Sequence, residues 1–398
     1  AVNLLSGACS AYFDGIPVLF LTGQVATGQL QESDSGCCEQ EERRKWRQLG
    51  FQETDTTHIF SSVIKAAFTI LSQGGTAIDL QWAWQLMQAN RQGPVLLDLP
   101  DDVQRAEILG PRHRDYPMSA VEEHKLTDVS GLFPLLATTE RPLVILGAGV
   151  WHSHAVDMAR AFVEALGWPV LLSWGGMDLL PWDHPQNMGG FGTCGPLAGN
   201  LALQNADLVL ALGTRLNPQM VPDPSILKAK LAVVDIDANE LARFAGAITV
   251  HAHLRDFLWA MADMKLPERD LSPWLAQIQA WRQLRPVLGA KDWHPNPYAF
   301  LRALSDASGP TDIVLTDAGA TLAWVMQTWR KKGVQRVISS WNHSPMGWAL
   351  PASVGAAFAG PGRRVICITG DGSFNMNAQE LGVLAKHNLW VKVFVMDN

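Results

Sequence analysis

Continuous apolar runs alternate along the chain with stretches in which apolar and polar residues mix at helical spacing. Such runs are typical of strands covered on both faces, and their alternation with helices predicts an α/β fold with parallel sheets. In the first third of the chain we predict strands at Ile16–Gly23 and Gly93–Pro100, with a helix at Ser61–Leu71 between them. Further on, the apolar runs that predict strands are Pro142–Gly149, Pro169–Trp174, Asp207–Gly213, Lys230–Asp237, Asp312–Gly319, Arg336–Ser340, Arg364–Gly372 and Val391–Asn398. The helices predicted in the same part of the chain are Trp274–Arg285, Leu350–Gly360 and Asn377–His387.

Two polar, proline-containing stretches separate these elements into three regions. The first runs from Asp101 to about Arg141 and the second from Pro267 to about Pro297. Domain boundaries usually fall in stretches of this composition. We therefore predict three domains, at residues 1–110, 125–265 and 290–398.

The composition narrows the classes of partner. The 398 residues are 47% hydrophobic and 17% charged, which suits large buried cores. A formal net charge of -7 without a long basic run argues against nucleic acid as a partner. No apolar run is long enough to span a membrane, so no membrane partner is expected. The five cysteines show no C-x-x-C spacing, which favours a reducing, cytoplasmic location.

A short G-D-G-S motif follows the apolar run that predicts the third strand of the last region. Gly370 and Gly372 would let a phosphate group approach the backbone, and Ser373 adds a hydroxyl and an N–H near a predicted helix start. Asp371 supplies a carboxylate oxygen, and Asn398 supplies an amide oxygen at the end of the next strand. Mg²⁺ prefers a few protein oxygens together with phosphate and water, so we predict a metal–diphosphate site with these two ligands. An ordinary strand-to-helix turn is the alternative that the motif alone leaves open.

The G-D-G-S motif, the helix and strand after it, and the closing asparagine resemble the cofactor-binding signature of the thiamine diphosphate (ThDP) enzymes. That superfamily includes acetolactate synthases, pyruvate oxidases and 2-oxo-acid decarboxylases. Other segments resemble acetolactate synthase large subunits in the same order along nearly the whole chain: AVNLLSGACSAYFDGIPVLFLTGQV from Ala1, LGFQETD from Leu49, RQGPVLLDLPDDVQ from Arg91 and NHSPMGWALPASVGAA from Asn342. The resemblance implies a pyrimidine-binding domain, a Rossmann-like middle domain and a diphosphate-binding domain. It also implies that the sequence is a piece of a longer protein, without the N-terminal and C-terminal parts of the family's chain.

The resemblance also implies roles for individual residues. Asp371 and Asn398 match the two side-chain ligands of Mg²⁺ in the family. Met346 matches the bulky apolar residue that supports ThDP in its bent form. Gln24 matches a glutamine that lines the active site, and Phe51 matches an aromatic residue at the substrate channel. Ordinary packing is the alternative for Met346 and Phe51, and a satisfied buried amide is the alternative for Gln24.

Some members of the family bind FAD in the middle domain and others bind nothing there. Gly147–His152, with the sequence GAGVWH, only half-resembles a dinucleotide-binding glycine motif. FAD therefore stays open as an additional cofactor, and we favour its absence.

The implied activity is decarboxylation of a small 2-oxo acid followed by joining of the remainder to a second carbonyl, as a transferase or lyase. A 2-oxo-acid decarboxylase and a non-catalytic ThDP-binding relic are the alternatives. The glutamate that activates the cofactor in this family would precede Ala1, so this chain alone is expected to have no turnover. Because the pyrimidine domain of one subunit meets the diphosphate domain of another, the family also implies a homodimer or homotetramer.

Two departures from the family's pattern are visible. Asp397 stands where the family usually has the first of two asparagines. Ala320 and Thr321 stand where many synthases carry Gln-His, which argues against acetolactate itself as the product.

Overall fold

A computed structural model describes residues 1–31, 46–107, 129–222, 227–284 and 296–397. The chain divides into two compact units, Ala1–Glu123 and His124–Asn398. The three domain boundaries given above stay a prediction, because compactness alone divides the chain only once.

The first unit contains a parallel sheet in the order β1-β3-β2. Its strands are β1 (Leu19–Gln24), β2 (Ala66–Thr69) and β3 (Val95–Pro100). Its helices are α1 (Leu5–Asp14), α2 (Thr56–Phe60), α3 (Thr76–Gln88) and α4 (Asp101–Arg105). The two strands predicted from apolar runs in this region are confirmed.

The helix predicted at Ser61–Leu71 is wrong. A 3₁₀ turn covers Ser61–Val63, and β2 follows it and pairs with β3. Ala66, Phe68 and Ile70 pack into one core cluster, while Ala67 packs into another on the opposite face. This two-residue alternation is that of a strand, and an apolar run so short fits either period.

The second unit contains a six-stranded parallel sheet in the order β6-β5-β4-β7-β8-β9, whose form is that of a Rossmann-like domain. Its strands are β4 (Pro142–Leu146), β5 (Val170–Leu172), β6 (Asn187–Gly190), β7 (Leu208–Leu212), β8 (Lys230–Asp235) and β9 (Ile248–His251). The helices of this region are α5 (Phe133–Thr138), α6 (Gly149–His152), α7 (Val156–Leu166), α8 (Leu197–Asn205), α9 (Ala238–Leu241), α10 (Leu254–Ala260) and α11 (Ser272–Leu284). The four strands predicted here are confirmed, whereas β6 and β9 were not predicted because neither is a continuous apolar run.

A four-stranded parallel sheet in the order β11-β10-β12-β13 completes the second unit. Its strands are β10 (Ile313–Thr316), β11 (Arg336–Ile338), β12 (Val365–Gly370) and β13 (Val391–Met396). The helices beside it are α12 (Pro297–Ala307), α13 (Ala320–Thr328), α14 (Ala349–Ala359), α15 (Asp371–Met376) and α16 (Glu380–Lys386). The predicted α/β class with parallel sheets flanked by helices is confirmed. Within the described ranges, no helix combines the length and the apolar character needed to cross a membrane.

Neighbouring residues of the central strands pack into separate cores on the two faces of their sheet. In β4, Val144 belongs to one cluster and Ile145 to the other. In β12, Ile366 and Cys367 divide in the same way. Burial on both faces explains why these strands are recognisable as unbroken apolar runs.

Buried polar contacts join the two sheets of the second unit. The Asp178 carboxylate accepts hydrogen bonds from Trp151 Nε1 at 2.7 Å, Arg336 Nε at 2.8 Å and the Val337 backbone N–H at 2.9 Å. Nearby, Lys331 is only 3% exposed and its Nζ has no hydrogen-bond partner. Burial lowers the pKa of Lys331 to about 8, with a further contribution from the positive charge of Arg160.

Replacing Lys331 with methionine is expected to raise the free energy of unfolding by about 1–3 kcal/mol at pH 7, because a buried ammonium without a partner is removed. The Lys331 pKa is about 8 in the folded protein and 10.5 for the ordinary group, so the unfolded state binds more protons between these values. The unmodified protein should therefore gain stability relative to the variant as the pH rises through that window. Urea unfolding at pH 7 and pH 10 measures both effects.

The adjacent lysine provides a matched control. Lys332 Nζ donates to the carbonyl oxygens of Asp306 at 3.0 Å and Ser308 at 2.8 Å, so Lys332→Met should bring no gain. Equal gains for the two variants, or a gain for Lys331→Met that is independent of pH, would contradict this interpretation.

Candidate cofactor site

The ends of β12 and β13 lie side by side at one edge of the four-stranded sheet. Gly370, the last residue of β12, pairs in register with Met396, the last residue of β13. Asp371 and Asp397 follow these two residues, and both side chains are exposed. Asn398, the second predicted metal ligand, lies outside the described residues, so its pairing with Asp371 stays a prediction.

The glycines of the G-D-G-S turn are not required by the packing of the chain itself. A Cβ atom added to Gly370 or Gly372 would meet no other atom within 4 Å. Neither residue has the positive φ that favours glycine, and Gly370 adopts an extended φ of -79°. The open space beside these glycines leaves room for the close approach of a diphosphate.

Ser373 is buried within α15, which has only six residues. So short a helix does not by itself indicate an anion site. The anion preference that the sequence analysis assigned to this helix start therefore stays a prediction.

Met346 lies on the loop before α14, and its side chain is 60% exposed. The next residue, Gly347, has a φ of 78°, and a Cβ atom added to it would lie 3.3 Å from the Ser373 carbonyl oxygen. The structure thus brings the Met346 loop against the helix that begins with Asp371. This contact joins two segments that the sequence analysis assigned to one site.

Two polar residues that the sequence analysis did not single out hold this loop. The Asp317 carboxylate, buried at the end of β10, accepts from the Trp348 backbone N–H at 2.9 Å and from Thr369 Oγ1 at 2.8 Å. Burial raises the pKa of Asp317, although these hydrogen bonds oppose the rise. Asn377 Nδ2 donates to the Gly347 carbonyl oxygen at 2.7 Å. No local pattern in the sequence predicts that these two side chains hold this loop.

In the first unit, Gln24 ends β1 and its amide is largely satisfied within the protein. Its Nε2 donates to Asp98 Oδ2 at 2.8 Å and to the Thr54 carbonyl oxygen at 2.7 Å, while its Oε1 accepts from the Val25 N–H at 3.0 Å. Both amide protons are therefore used, and one lone pair of Oε1 remains for a ligand. The geometry agrees with the satisfied amide that the sequence analysis left open as an alternative.

Asp98 anchors this glutamine from the centre of the sheet. It is 1% exposed, and it also accepts a hydrogen bond from Thr22 Oγ1 at 2.6 Å. Burial raises the pKa of Asp98, against the opposing effect of the bonds from Thr22 and Gln24.

Phe51 lies on the loop that Thr54 ties to Gln24, and its side chain is 84% exposed. The loop is fixed by Glu53, whose buried carboxylate accepts from the backbone N–H groups of Gln31 at 3.0 Å and Leu49 at 2.7 Å. Burial acts to raise the pKa of Glu53, but these hydrogen bonds outweigh it and the pKa is lowered. The Glu53 carboxylate therefore serves to hold this loop in place.

Gln52, between these two residues, has a φ of 68°. Left-handed backbone at a residue other than glycine is uncommon and clusters at functional sites. No local pattern in the sequence predicts this conformation.

At the two positions that depart from the synthases, Ala320 has no polar side chain and the Thr321 hydroxyl is hydrogen-bonded within the protein. Ala320 begins α13 with an exposed side chain. Thr321 is buried, and its Oγ1 donates to the carbonyl oxygens of Asp317 at 3.1 Å and Ala318 at 2.9 Å. Ala320 and Thr321 therefore do not offer a polar pair that could replace the Gln-His of many synthases.

The glycines of the GAGVWH segment are explained by packing. The Gly147 N–H donates to the Leu212 carbonyl oxygen at 2.9 Å and the Gly149 N–H to the Gly213 carbonyl oxygen at 3.0 Å. A Cβ atom added to Gly149 would lie 2.7 Å from Gly213 Cα. These residues thus close the ends of β4 and β7 against each other, where a nucleotide would bind in such sheets. This packing role does not test FAD binding, so the absence of FAD stays a prediction.

Comparison with known proteins agrees with the fold. Residues 129–261 match the family described as thiamine pyrophosphate enzyme, central domain, and residues 317–398 match the thiamine pyrophosphate enzyme C-terminal TPP binding domain. The chain therefore belongs to the class of ThDP-dependent enzymes.

Relatives among curated proteins narrow this class. The whole chain is 29% identical to the acetolactate synthase large subunit of Lactococcus lactis and covers 68% of it. It is 30% identical to the probable large subunit of Methanocaldococcus jannaschii, covering 68%, and 30% identical to the isozyme 2 large subunit of Escherichia coli, covering 70%. The chain belongs to the acetolactate synthase-like family of ThDP-dependent enzymes.

Proposed function

We propose that the protein uses ThDP and Mg²⁺ to decarboxylate a small 2-oxo acid and to join the remaining carbon unit to a second carbonyl compound. The observation that carries this proposal is the G-D-G-S turn, where two glycines leave open space beside Asp371 at the paired ends of β12 and β13. The similarity to acetolactate synthase large subunits supports the choice of joining over simple decarboxylation.

In this proposal the chain's own residues bind and orient the cofactor. Asp371 and Asn398 would hold Mg²⁺ through oxygen atoms, and the bound ion would supply positive charge beside the diphosphate. Gly370 and Gly372 allow the diphosphate to approach the backbone, and Met346 supports the bent cofactor from its exposed position. The cofactor, when bound, supplies an electron sink for the carbon left by decarboxylation.

Gln24 contributes from the pyrimidine-binding part of the chain. Because both of its amide protons are already bonded within the protein, it accepts rather than donates a hydrogen bond to a ligand. Phe51, with its exposed ring, covers the path of the substrate. The assembly proposed for this activity is a homodimer or homotetramer.

Product analysis separates the proposed reaction from its alternative. The protein expressed from its complete reading frame, incubated with ThDP, Mg²⁺ and a panel of 2-oxo acids that includes pyruvate, is expected to release CO₂ and to form a carbon–carbon coupled product. Ala320 and Thr321 replace the polar pair of many synthases, so we expect the best substrate pair to differ from two molecules of pyruvate. Mass spectrometry of the products, with an Asp371→Ala variant as the blank, measures this.

The outcome has a clear opposite. Aldehyde and CO₂ alone, with every acid in the panel, would assign the protein to the 2-oxo-acid decarboxylases. Binding of ThDP without any turnover would instead favour the non-catalytic alternative.

A further inference from the structure

The loop that carries Met346 is held from two sides within the second unit. Asn377 Nδ2 donates to the Gly347 carbonyl oxygen at 2.7 Å, and Asp317 Oδ1 accepts from the Trp348 N–H at 2.9 Å. Both hydrogen bonds are made by the two residues that follow Met346 in the chain. A residue that is 60% exposed is thus presented by a backbone that is tied down.

Asn377 is also part of the segment that carries the diphosphate turn. It directly follows α15, and its backbone N–H donates to the Phe374 carbonyl oxygen at 3.3 Å. Asp371 begins the same helix, about 9 Å away at the rise of an α-helix. One side chain therefore connects the Met346 loop to the element that begins with the proposed metal ligand.

The packing between loop and helix leaves little freedom. A Cβ atom added to Gly347 would lie 2.9 Å from Asn377 Nδ2 and 3.1 Å from Met376 Cβ. Together with the φ of 78° at Gly347, this close approach requires glycine at this point. The Asn377 hydrogen bond and the tight contact are separate observations that fix the same spacing.

We propose that Asn377 is a positioning residue. It sets the distance between Met346, the apolar support of the cofactor, and Asp371, the proposed ligand of the metal that binds the diphosphate. This inference rests on the proposed function, because it assumes that ThDP spans these two points. A ligand with a diphosphate at one end and rings at the other needs both contacts at one spacing. A ligand that consists of the diphosphate alone needs only the metal–diphosphate site at Asp371.

The test compares two probes in the protein expressed from its complete reading frame, both in the presence of Mg²⁺. Asn377→Asp keeps the shape of the side chain but replaces the donor with an acceptor that faces the Gly347 carbonyl oxygen. We expect ThDP to bind at least 10-fold more weakly to this variant, while inorganic pyrophosphate binds within 3-fold of the unmodified protein. Titration calorimetry gives both dissociation constants.

Asn375→Asp is the matched control. Asn375 lies on the same helix with an exposed side chain, so this change adds the same charge without touching the loop. Both probes should bind to it within 3-fold of the unmodified protein. Introducing Asn377→Asp into a Met346→Ala background should change ThDP affinity by less than 3-fold, because the support that Asn377 positions is already absent.

Each other outcome has a distinct meaning. Equal affinities of ThDP for the unmodified protein and Asn377→Asp would overturn the inference. Equally weakened binding of both probes would also overturn it, because it would indicate damage to the metal–diphosphate site itself. Failure of the unmodified protein to bind ThDP would overturn the proposed function and the inference with it.

Discussion

Replacing Asp371 with alanine is expected to remove Mg²⁺-dependent binding of ThDP and to lower kcat/KM by about 100-fold or more. Asp371 is exposed at the end of β12, beside the end of β13, and supplies the only charged oxygen that we propose for the metal. Without this carboxylate, Mg²⁺ would be held more weakly, and the negative charge of the diphosphate would be incompletely neutralised. ThDP titrations with Mg²⁺ and with EDTA, followed by steady-state kinetics, measure both effects.

Asp397→Asn provides the comparison for that experiment. Asp397 is also an exposed carboxylate, placed at the end of the neighbouring strand, and the family usually has asparagine there. The variant loses one negative charge from the same edge of the sheet, but we expect it to keep ThDP affinity and activity. If Asp397→Asn were as damaging as Asp371→Ala, the assignment of the metal to Asp371 would have to be abandoned.

Gly372→Ala is expected to weaken ThDP binding by more than 10-fold without any loss of folding stability. An added Cβ would meet no protein atom within 4 Å, and alanine is favoured over glycine in a helix. The melting temperature should therefore stay constant or rise slightly. The loss of affinity would come from the diphosphate alone, because the new methyl group occupies the space that we assign to it.

Gly382→Ala is the appropriate control for this effect. Gly382 lies in α16, and an added Cβ there would also meet nothing within 4 Å. Both variants should melt alike, while only Gly372→Ala should lose ThDP affinity. Unchanged affinity in Gly372→Ala would show that the open space beside the turn does not hold the diphosphate.

The sequence was sufficient for those parts of the fold that depend on burial alone. Strands such as β4 and β12 are covered on both faces and are therefore continuous apolar runs. The error at Ser61–Leu71 arose where a short apolar run fits both a helix and a strand. Its pairing with β3 decides the matter, and pairing is a tertiary contact.

The candidate site was predictable where its residues are neighbours in the sequence. Gly370, Asp371 and Gly372 form one motif, and their place at a strand end follows from the apolar run before them. Asn377 and Asp98 were not predictable, because their partners are 30 and 74 residues away along the chain. Such hydrogen bonds are determined by the packing of the elements and leave no local pattern.

The most direct test is a crystal structure of the protein from its complete reading frame, grown with ThDP and with Mn²⁺ in place of Mg²⁺. The proposal predicts an anomalous peak within about 2.5 Å of a carboxylate oxygen of Asp371, the amide oxygen of Asn398 and the cofactor's diphosphate. A metal and diphosphate bound elsewhere, or an Asn398 side chain directed away from Asp371, would contradict it.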